Sequence, residues 1–147
     1  MKRNITKSLF STTTALVLCA VLMISAHAAS ASCAPVNFNH EGSSFTAYNT
    51  VTTNTVLKYA YASAQVTCNN GTKPTAYFEI IVLLKNGNGS TVRNNSGTNN
   101  SAKKTYSLST SNYSTSGTYI AEGLAGVYMS TGGYSYYFLP GSPKLSF

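Results

Sequence analysis

The sequence contains no aspartate and no tryptophan, and its only acidic residues are three glutamates. It contains two histidines, His27 and His40. A Ser-His-Asp triad and an EF-hand calcium loop both require aspartate, so neither can be built from this chain. A zinc site with several histidine ligands is excluded by the histidine count. We therefore expect no bound metal ion and no cofactor.

Long apolar runs are also scarce, and the most extended one stands near the N-terminus. Lys2, Arg3 and Lys7 precede an uninterrupted apolar run over 15–24, and small residues follow it at Ala26 and Ala28. This order is typical of a secretory signal peptide, and the apolar run is too short to anchor the chain in a bilayer. We expect cleavage after Ala28.

Cleavage there leaves one domain's length of chain and no second apolar stretch long enough to span a membrane. It also removes three of the ten cationic residues, which lowers the net charge from +7 to +4. We expect an exported protein without a transmembrane segment that is extracellular or at the cell surface. A periplasmic location is the alternative if the source has an outer membrane.

The remaining cysteines are Cys33 and Cys68, because Cys19 lies within the apolar run of the signal. An even number of cysteines in an exported chain is typical of a disulfide, so we expect Cys33 to pair with Cys68. Lipidation of Cys33 is a weaker alternative, because the residues before it lack the usual leucine.

After residue 29 the sequence shows no sustained helical periodicity and alternates β-branched or aromatic residues with turn residues. This pattern predicts an all-β domain of seven or eight short strands, arranged as a single antiparallel β-sandwich. We expect a signal peptide over 1–28, an N-terminal strap over 29–43 and the sandwich over 44–147. The predicted strands cover 44–53, 56–68, 75–85, 90–93, 103–109, 117–129, 134–139 and 144–147, with a solvated loop over 94–102.

One short segment resembles a known family. The residues from Ser116 to Ala121, which include Tyr119, resemble the tyrosine corner of immunoglobulin-like sandwiches. The resemblance covers only six residues, and Ala121 stands where antibody domains have a cysteine. It implies an immunoglobulin-like architecture and implies nothing about function.

Glu79 and Glu122 are the best candidates for catalysis, because glycoside hydrolases use two carboxylates in a cleft. The small domain and the missing tryptophan argue against this role, and we expect no catalytic residues. His40 and Glu41 could bind a metal weakly or act as a base, but we expect His40 to be a solvent-exposed loop residue.

The tyrosines are more informative about binding. Alternation from Val56 to Cys68 assigns the small residues and Cys68 to the interior, which leaves Tyr59 and Tyr61 facing outward. Tyr134 and Tyr136 belong to a second aromatic segment. Outward tyrosines beside serine, threonine and glutamine suit contact with a glycan or a protein. We therefore expect a binding surface that includes all four tyrosines.

These observations together predict a secreted, non-enzymatic β-sandwich that binds at a cell surface or in an extracellular matrix. The expected partner is a cell-surface glycan, an anionic polymer or a protein, and nucleic acid is not expected. The alternatives are a small hydrolase that uses Glu79 and Glu122, an assembly subunit of a surface fibre or matrix, and a small secreted toxin.

Overall fold

A computed structural model describes residues 27–147, and this part of the chain contains ten β-strands. The predicted signal peptide lies outside the described residues except for its last two, and the first strand begins at Ala28. The strands are β1 (Ala28–Ser32), β2 (Val36–His40), β3 (Ser43–Asn54), β4 (Tyr59–Cys68), β5 (Phe78–Asn86), β6 (Thr91–Thr98), β7 (Thr105–Ser109), β8 (Thr118–Tyr128), β9 (Tyr134–Leu139) and β10 (Leu145–Ser146).

The strands form two antiparallel sheets of five strands each. In sheet one, β3 pairs with β4, and β4 pairs with β7. On its other edge, β3 pairs with both β1 and β2, one after the other along its length. In sheet two, β6 pairs with β5 and β5 with β8, while β9 and β10 share the outer edge of β8. Residues 27–147 are therefore all-β, as predicted, and their arrangement is consistent with a β-sandwich.

The core lies between the two sheets and is built by strict alternation of side chains. Along β4, every second residue from Ala60 to Cys68 is buried, and the residues between them are partly exposed. The facing strand β5 buries Phe78, Ile80, Val82 and Leu84. The small side chains of β4 thus lie opposite larger apolar side chains of β5, as close packing of two sheets requires.

The predicted Cys33–Cys68 disulfide is not found: both cysteines are buried free thiols. Cys33 lies beside Asn49 on one flank of β3, whereas Cys68 pairs with Phe45 from the other flank. Their backbones are two strand spacings apart across the sheet and four residues apart along the strands. Together these separations give a distance of roughly 16 Å. A disulfide needs Cα atoms within about 7 Å, so the native backbone does not allow this bond.

Several predicted segments differ from the structure, whose described part has ten strands where seven or eight were predicted. Val56 and Leu57 do not start a strand; they are exposed turn residues, and both amides donate to the side chain of Asn54. Residues 94–98, expected in a loop, continue the edge strand β6, whose polar side chains remain in solvent while its backbone pairs with β5. The segment 29–43, expected as a strap, contains β2 and most of β1 and therefore contributes to sheet one.

Two side chains fix the sandwich at its ends. The Tyr119 hydroxyl donates to the carbonyl of Thr115, four residues earlier, and the ring is buried in the core. Asn49, fully buried on β3, donates through Nδ2 to the Leu139 carbonyl at 3.3 Å and the Pro140 carbonyl at 2.8 Å. The Asn49 contacts link sheet one to the end of β9 in sheet two.

Candidate functional site

The four tyrosines expected in one binding surface lie on opposite faces of the molecule. Tyr59 and Tyr61 belong to β4 and point outward from sheet one, whereas Tyr134 and Tyr136 belong to β9 and point outward from sheet two. The core separates the two pairs, so they cannot contact one ligand patch together. The two outer faces have different chemistry and are described separately.

The outer face of sheet one, called here the hydroxyl face, carries no charged side chain on its strands. Outward positions follow from the register, because residues that pair directly across strands share a face. Apart from Ala28 and the buried Asn54 at one corner, the outward residues of the five strands are Ser30, Ser32, Asn37, Asn39, Ser44, Thr46, Tyr48, Thr50, Thr52, Tyr59, Tyr61, Ser63, Gln65, Thr67, Thr105, Ser107 and Ser109. All of them are hydroxyl or amide side chains.

These side chains form hydrogen-bonded rows across the strands. The hydroxyl of Ser32 lies 2.7 Å from that of Thr50, and the hydroxyl of Ser30 lies 2.9 Å from that of Thr52. On the other flank, Thr67 and Thr105 share a hydrogen bond of 3.0 Å. Because rows of the same face repeat at about 6.7 Å along the strand and 4.8 Å across it, the hydroxyls form a regular array.

Tyrosine rings interrupt this array on adjacent strands. The rings of Tyr59 and Tyr61 lie 6.2 Å apart and are tilted by 34°. Tyr48 on β3 pairs with Gln65 and points outward as well. Tyr48 was not among the predicted binding residues, although the alternation of Thr46, Tyr48 and Thr50 within a predicted strand assigns all three to one face.

The outer face of sheet two carries aromatic and aliphatic side chains together with Glu79, Glu122 and Lys85. Tyr128 and Tyr136 are 43% and 46% exposed, and Phe138 is the most exposed of the large apolar residues in the described chain. The Tyr136 hydroxyl donates to Glu79 Oε2 at 2.5 Å. This hydrogen bond is the main cause that raises the pKa of Tyr136 to about 12, with burial and the glutamate charge adding to it.

Glu79 and Glu122 share this face but lie far apart along it. Glu79 lies opposite Gly126 on β8, four residues beyond Glu122, which separates the two Cα atoms by about 14 Å. Glu122 instead accepts a hydrogen bond from the ammonium of Lys85 at 2.5 Å. Glycoside hydrolases hold their carboxyl groups about 5–10 Å apart, and here each carboxylate is bonded to a different neighbour.

His40 is not the solvent-exposed loop residue that the sequence analysis expected. Its side chain, at the end of β2, is only 13% exposed, and its Nδ1 lies 3.4 Å from the Tyr137 hydroxyl. Glu41 accepts hydrogen bonds from the Ser130 hydroxyl at 2.6 Å and the Ser130 amide at 2.8 Å. These bonds lower the pKa of the Glu41 carboxyl and connect the β2–β3 turn to the β8–β9 turn.

Comparisons with known proteins give little information about this chain. No family model matches it, and no curated protein matches it. A solved structure titled "X-ray structure of Northeast Structural Genomics Consortium target SoR45" is similar over 82% of this chain and 85% of its own, with 8% identity and a TM-score of 0.39. At this score the similarity supports no conclusion about function.

The described part of the chain was also considered for membrane-spanning helices and metal-binding groups of side chains. Residues 27–147 contain no helix long and apolar enough to cross a bilayer. Within the same residues, no three His, Cys, Asp or Glu side chains are grouped closely enough to hold a metal ion. The hydroxyl face and the aromatic face of sheet two therefore remain the candidate sites.

Proposed function

We propose that this protein is exported and binds a neutral polysaccharide through the hydroxyl face, without catalysing a reaction on it. The observation that carries the proposal is the composition of that face, where every outward strand side chain from Ser30 to Ser109 is uncharged and polar. The proposal of export rests on the basic and apolar N-terminal segment.

The absence of charge favours a neutral ligand for an energetic reason. Covering a charged side chain with a neutral ligand removes its hydration without supplying a counter-charge, which costs free energy. Hydroxyl and amide groups avoid that cost, because they can exchange hydrogen bonds with water for hydrogen bonds with sugar hydroxyls. A glycan therefore suits this face better than an anionic polymer does.

The tyrosines supply the apolar part of the contact. Tyr48, Tyr59 and Tyr61 have rings that can cover the C–H faces of sugar rings and hydroxyls that can bond to them. Hydrogen bonds such as those between Ser32 and Thr50 restrict the polar side chains before a ligand arrives. A surface restricted in this way loses less conformational entropy on binding.

We also infer that the sandwich has an immunoglobulin-like arrangement. Strands β3, β4 and β7 are neighbours in one sheet and β9, β8, β5 and β6 in the other, which corresponds to the order A-B-E and G-F-C-C′. The hydrogen bond from Tyr119 to Thr115 at the start of β8 supports this inference, since a tyrosine corner occupies that position in such domains.

A pair of matched substitutions tests the polysaccharide proposal. Thr50→Lys introduces a charge at the centre of the hydroxyl face, while Thr98→Lys makes the same change on β6 in the outer face of sheet two. In sedimentation with insoluble cellulose, chitin and β-glucan, we expect Thr50→Lys to weaken binding about tenfold or more and Thr98→Lys to leave it unchanged.

Two additional measurements make the outcome decisive. Tyr61→Ala removes a ring from the same face without adding charge, and we expect it also to weaken binding while the thermal melting curve stays close to the wild type. Binding should persist in high salt, because a neutral ligand makes no screened ion pairs. Loss of binding in salt, or equal effects of Thr50→Lys and Thr98→Lys, would contradict the proposal.

A further inference from the structure

A cleft of about 370 Å³ opens at one end of sheet two, on the side of the molecule opposite the hydroxyl face. It lies where the β4–β5 loop meets the end of β8 and the start of β9. Its lining residues are Pro74, Thr75, Ala76, Tyr77, Tyr128 and Tyr134. We call it the tyrosine cleft, and its volume is within the range of small-molecule sites.

Aromatic rings form two walls of the tyrosine cleft at nearly a right angle. The rings of Tyr128 and Tyr134 lie 5.5 Å apart with an angle of 81° between their planes. Tyr136, the next outward residue on β9, has its ring 6.2 Å from that of Tyr134. Aromatic faces carry negative electrostatic potential, so a corner of such rings attracts cations.

A carboxylate adds negative charge beside these rings. Glu79 on β5 bonds to the Tyr136 hydroxyl, and its charge, after burial, contributes to the raised pKa of the Tyr134 hydroxyl. Lys73 contacts one lining residue: its Nζ lies 4.9 Å from the Tyr77 ring centroid and donates to Ser43 at 2.6 Å. An ammonium group of the protein itself therefore already contacts a tyrosine ring beside the cleft.

Residues 74–77 form the loop that lines one side of the cleft, and hydrogen bonds hold this loop in place. Ala76 has a positive φ of 58°, an unfavourable conformation for a residue with a Cβ. Its carbonyl accepts a hydrogen bond from the Tyr134 hydroxyl at 2.6 Å, and its amide donates to the Asn99 carbonyl at 2.8 Å. The buried Asn99 side chain also donates to the carbonyls of Pro74 and Ser101.

We propose that the tyrosine cleft binds a trimethylammonium group, as found in choline or in trimethylated lysine. The rings of Tyr128 and Tyr134 would contact the methyl groups, and Glu79 would supply the opposing charge. A methylated ammonium donates no hydrogen bonds, and the Tyr134 hydroxyl is already engaged with Ala76, so ring faces and charge are the contacts that remain. This proposal is independent of polysaccharide binding, because it concerns the other sheet.

Titration with choline chloride tests the proposal directly, followed by tyrosine fluorescence or by chemical shifts of the ring protons. We expect saturable binding that the neutral analogue with carbon in place of the ammonium nitrogen does not reproduce. Tyr128→Leu should weaken choline binding about tenfold and Glu79→Gln about fivefold. Tyr61→Leu, the same change on the hydroxyl face, should leave it unchanged.

The source of the group is distinguished by two further probes, phosphatidylcholine vesicles and a trimethyl-lysine peptide. Binding of either probe that free choline displaces supports the proposal and identifies the larger ligand. No saturable choline binding, equal binding of the neutral analogue, or equal weakening by Tyr61→Leu and Tyr128→Leu would overturn it. Tyr128 is exposed, so its substitution leaves the fold intact, and a melting curve verifies this.

Discussion

At the scale of single residues, neighbours determine what each polar side chain can do. Glu79 and Glu122 are chemically identical and lie on the same outer face, yet one accepts a hydrogen bond from a phenol and the other pairs with an ammonium. Because Glu79 lies beside Tyr136, the phenol stays protonated to unusually high pH. Glu122 has no such effect on a tyrosine, since its bonded partner is Lys85.

The hydrogen bond between Tyr136 and Glu79 predicts a specific pH dependence. The pKa of Tyr136 is raised from 10.0 to about 12 in the folded state, so the fold favours the neutral phenol. The stabilisation is therefore complete below about pH 10 and is lost as the pH rises towards 12. An ultraviolet titration at alkaline pH measures the ionisation of the tyrosines. In Glu79→Gln, the late-ionising tyrosine, Tyr136, should ionise at a lower pH than in the wild type.

Glu122→Gln is the matched control for this titration. It removes a carboxylate from the same face, but the bonded partner of that carboxylate is Lys85, so the tyrosine titration should coincide with that of the wild type. Coincident curves for the wild type and Glu79→Gln would show that the Tyr136 hydroxyl is not controlled by Glu79.

At the scale of elements, two glycines of β8 lie close to atoms of the neighbouring strands. A Cβ added at Gly123 would lie 2.5 Å from the backbone oxygen of Ile81 on β5. At Gly126 it would lie 3.0 Å from the Tyr136 ring, so this glycine gives the ring room to cover the strand. The two glycines thus let β8 pack tightly against both β5 and β9.

Gly123→Ala should destabilise the fold by roughly 1–3 kcal/mol, because a backbone atom of β5 would have to move. Gly87→Ala in the β5–β6 turn is the control, since a Cβ there makes only ordinary contacts, the nearest at 3.6 Å. Urea unfolding of the two variants measures the difference. Equal stability of Gly123→Ala and the wild type would mean that β5 and β8 are less closely packed than described.

At the scale of the whole molecule, the sandwich separates residues that were expected to act together. The aromatic segment of β9 and the tyrosines of β4 face opposite directions, because each belongs to the outer side of a different sheet. Within sheet one, strand β3 lies between Cys33 and Cys68, and both thiols are buried. Within the sandwich each cysteine therefore packs as a small apolar side chain.

The thiols give a test of this arrangement. The native mature protein should react slowly with an alkylating reagent, because both thiols are buried. Unfolded in denaturant without any reductant, it should gain two alkyl groups by intact mass. If unreduced protein gained none after unfolding, while reduced protein gained two, a disulfide would be present and the positions of Cys33 and Cys68 would be wrong.

Alternation in the sequence was sufficient to predict the local structure of the central strands. The interior assignment of Ala60 to Cys68 and the outward direction of Tyr59 and Tyr61 are confirmed, because side chains on a strand must alternate between its faces. The strand over 134–139 agrees with β9 at both ends. Edge strand β6 was missed in part, because its stability comes from backbone pairing and its polar side chains carry no apolar signal.

The sequence alone was enough to predict an all-β domain, the β4 residues that face the core and the scarcity of charge. Which strands share a sheet followed only from the folded arrangement, which separated the two pairs of tyrosines, kept Cys33 and Cys68 apart and brought Glu79 to Tyr136. This division arises because side-chain alternation is a local property of a strand. Which strands become neighbours depends instead on how distant segments pair and pack, and no short stretch of sequence records that.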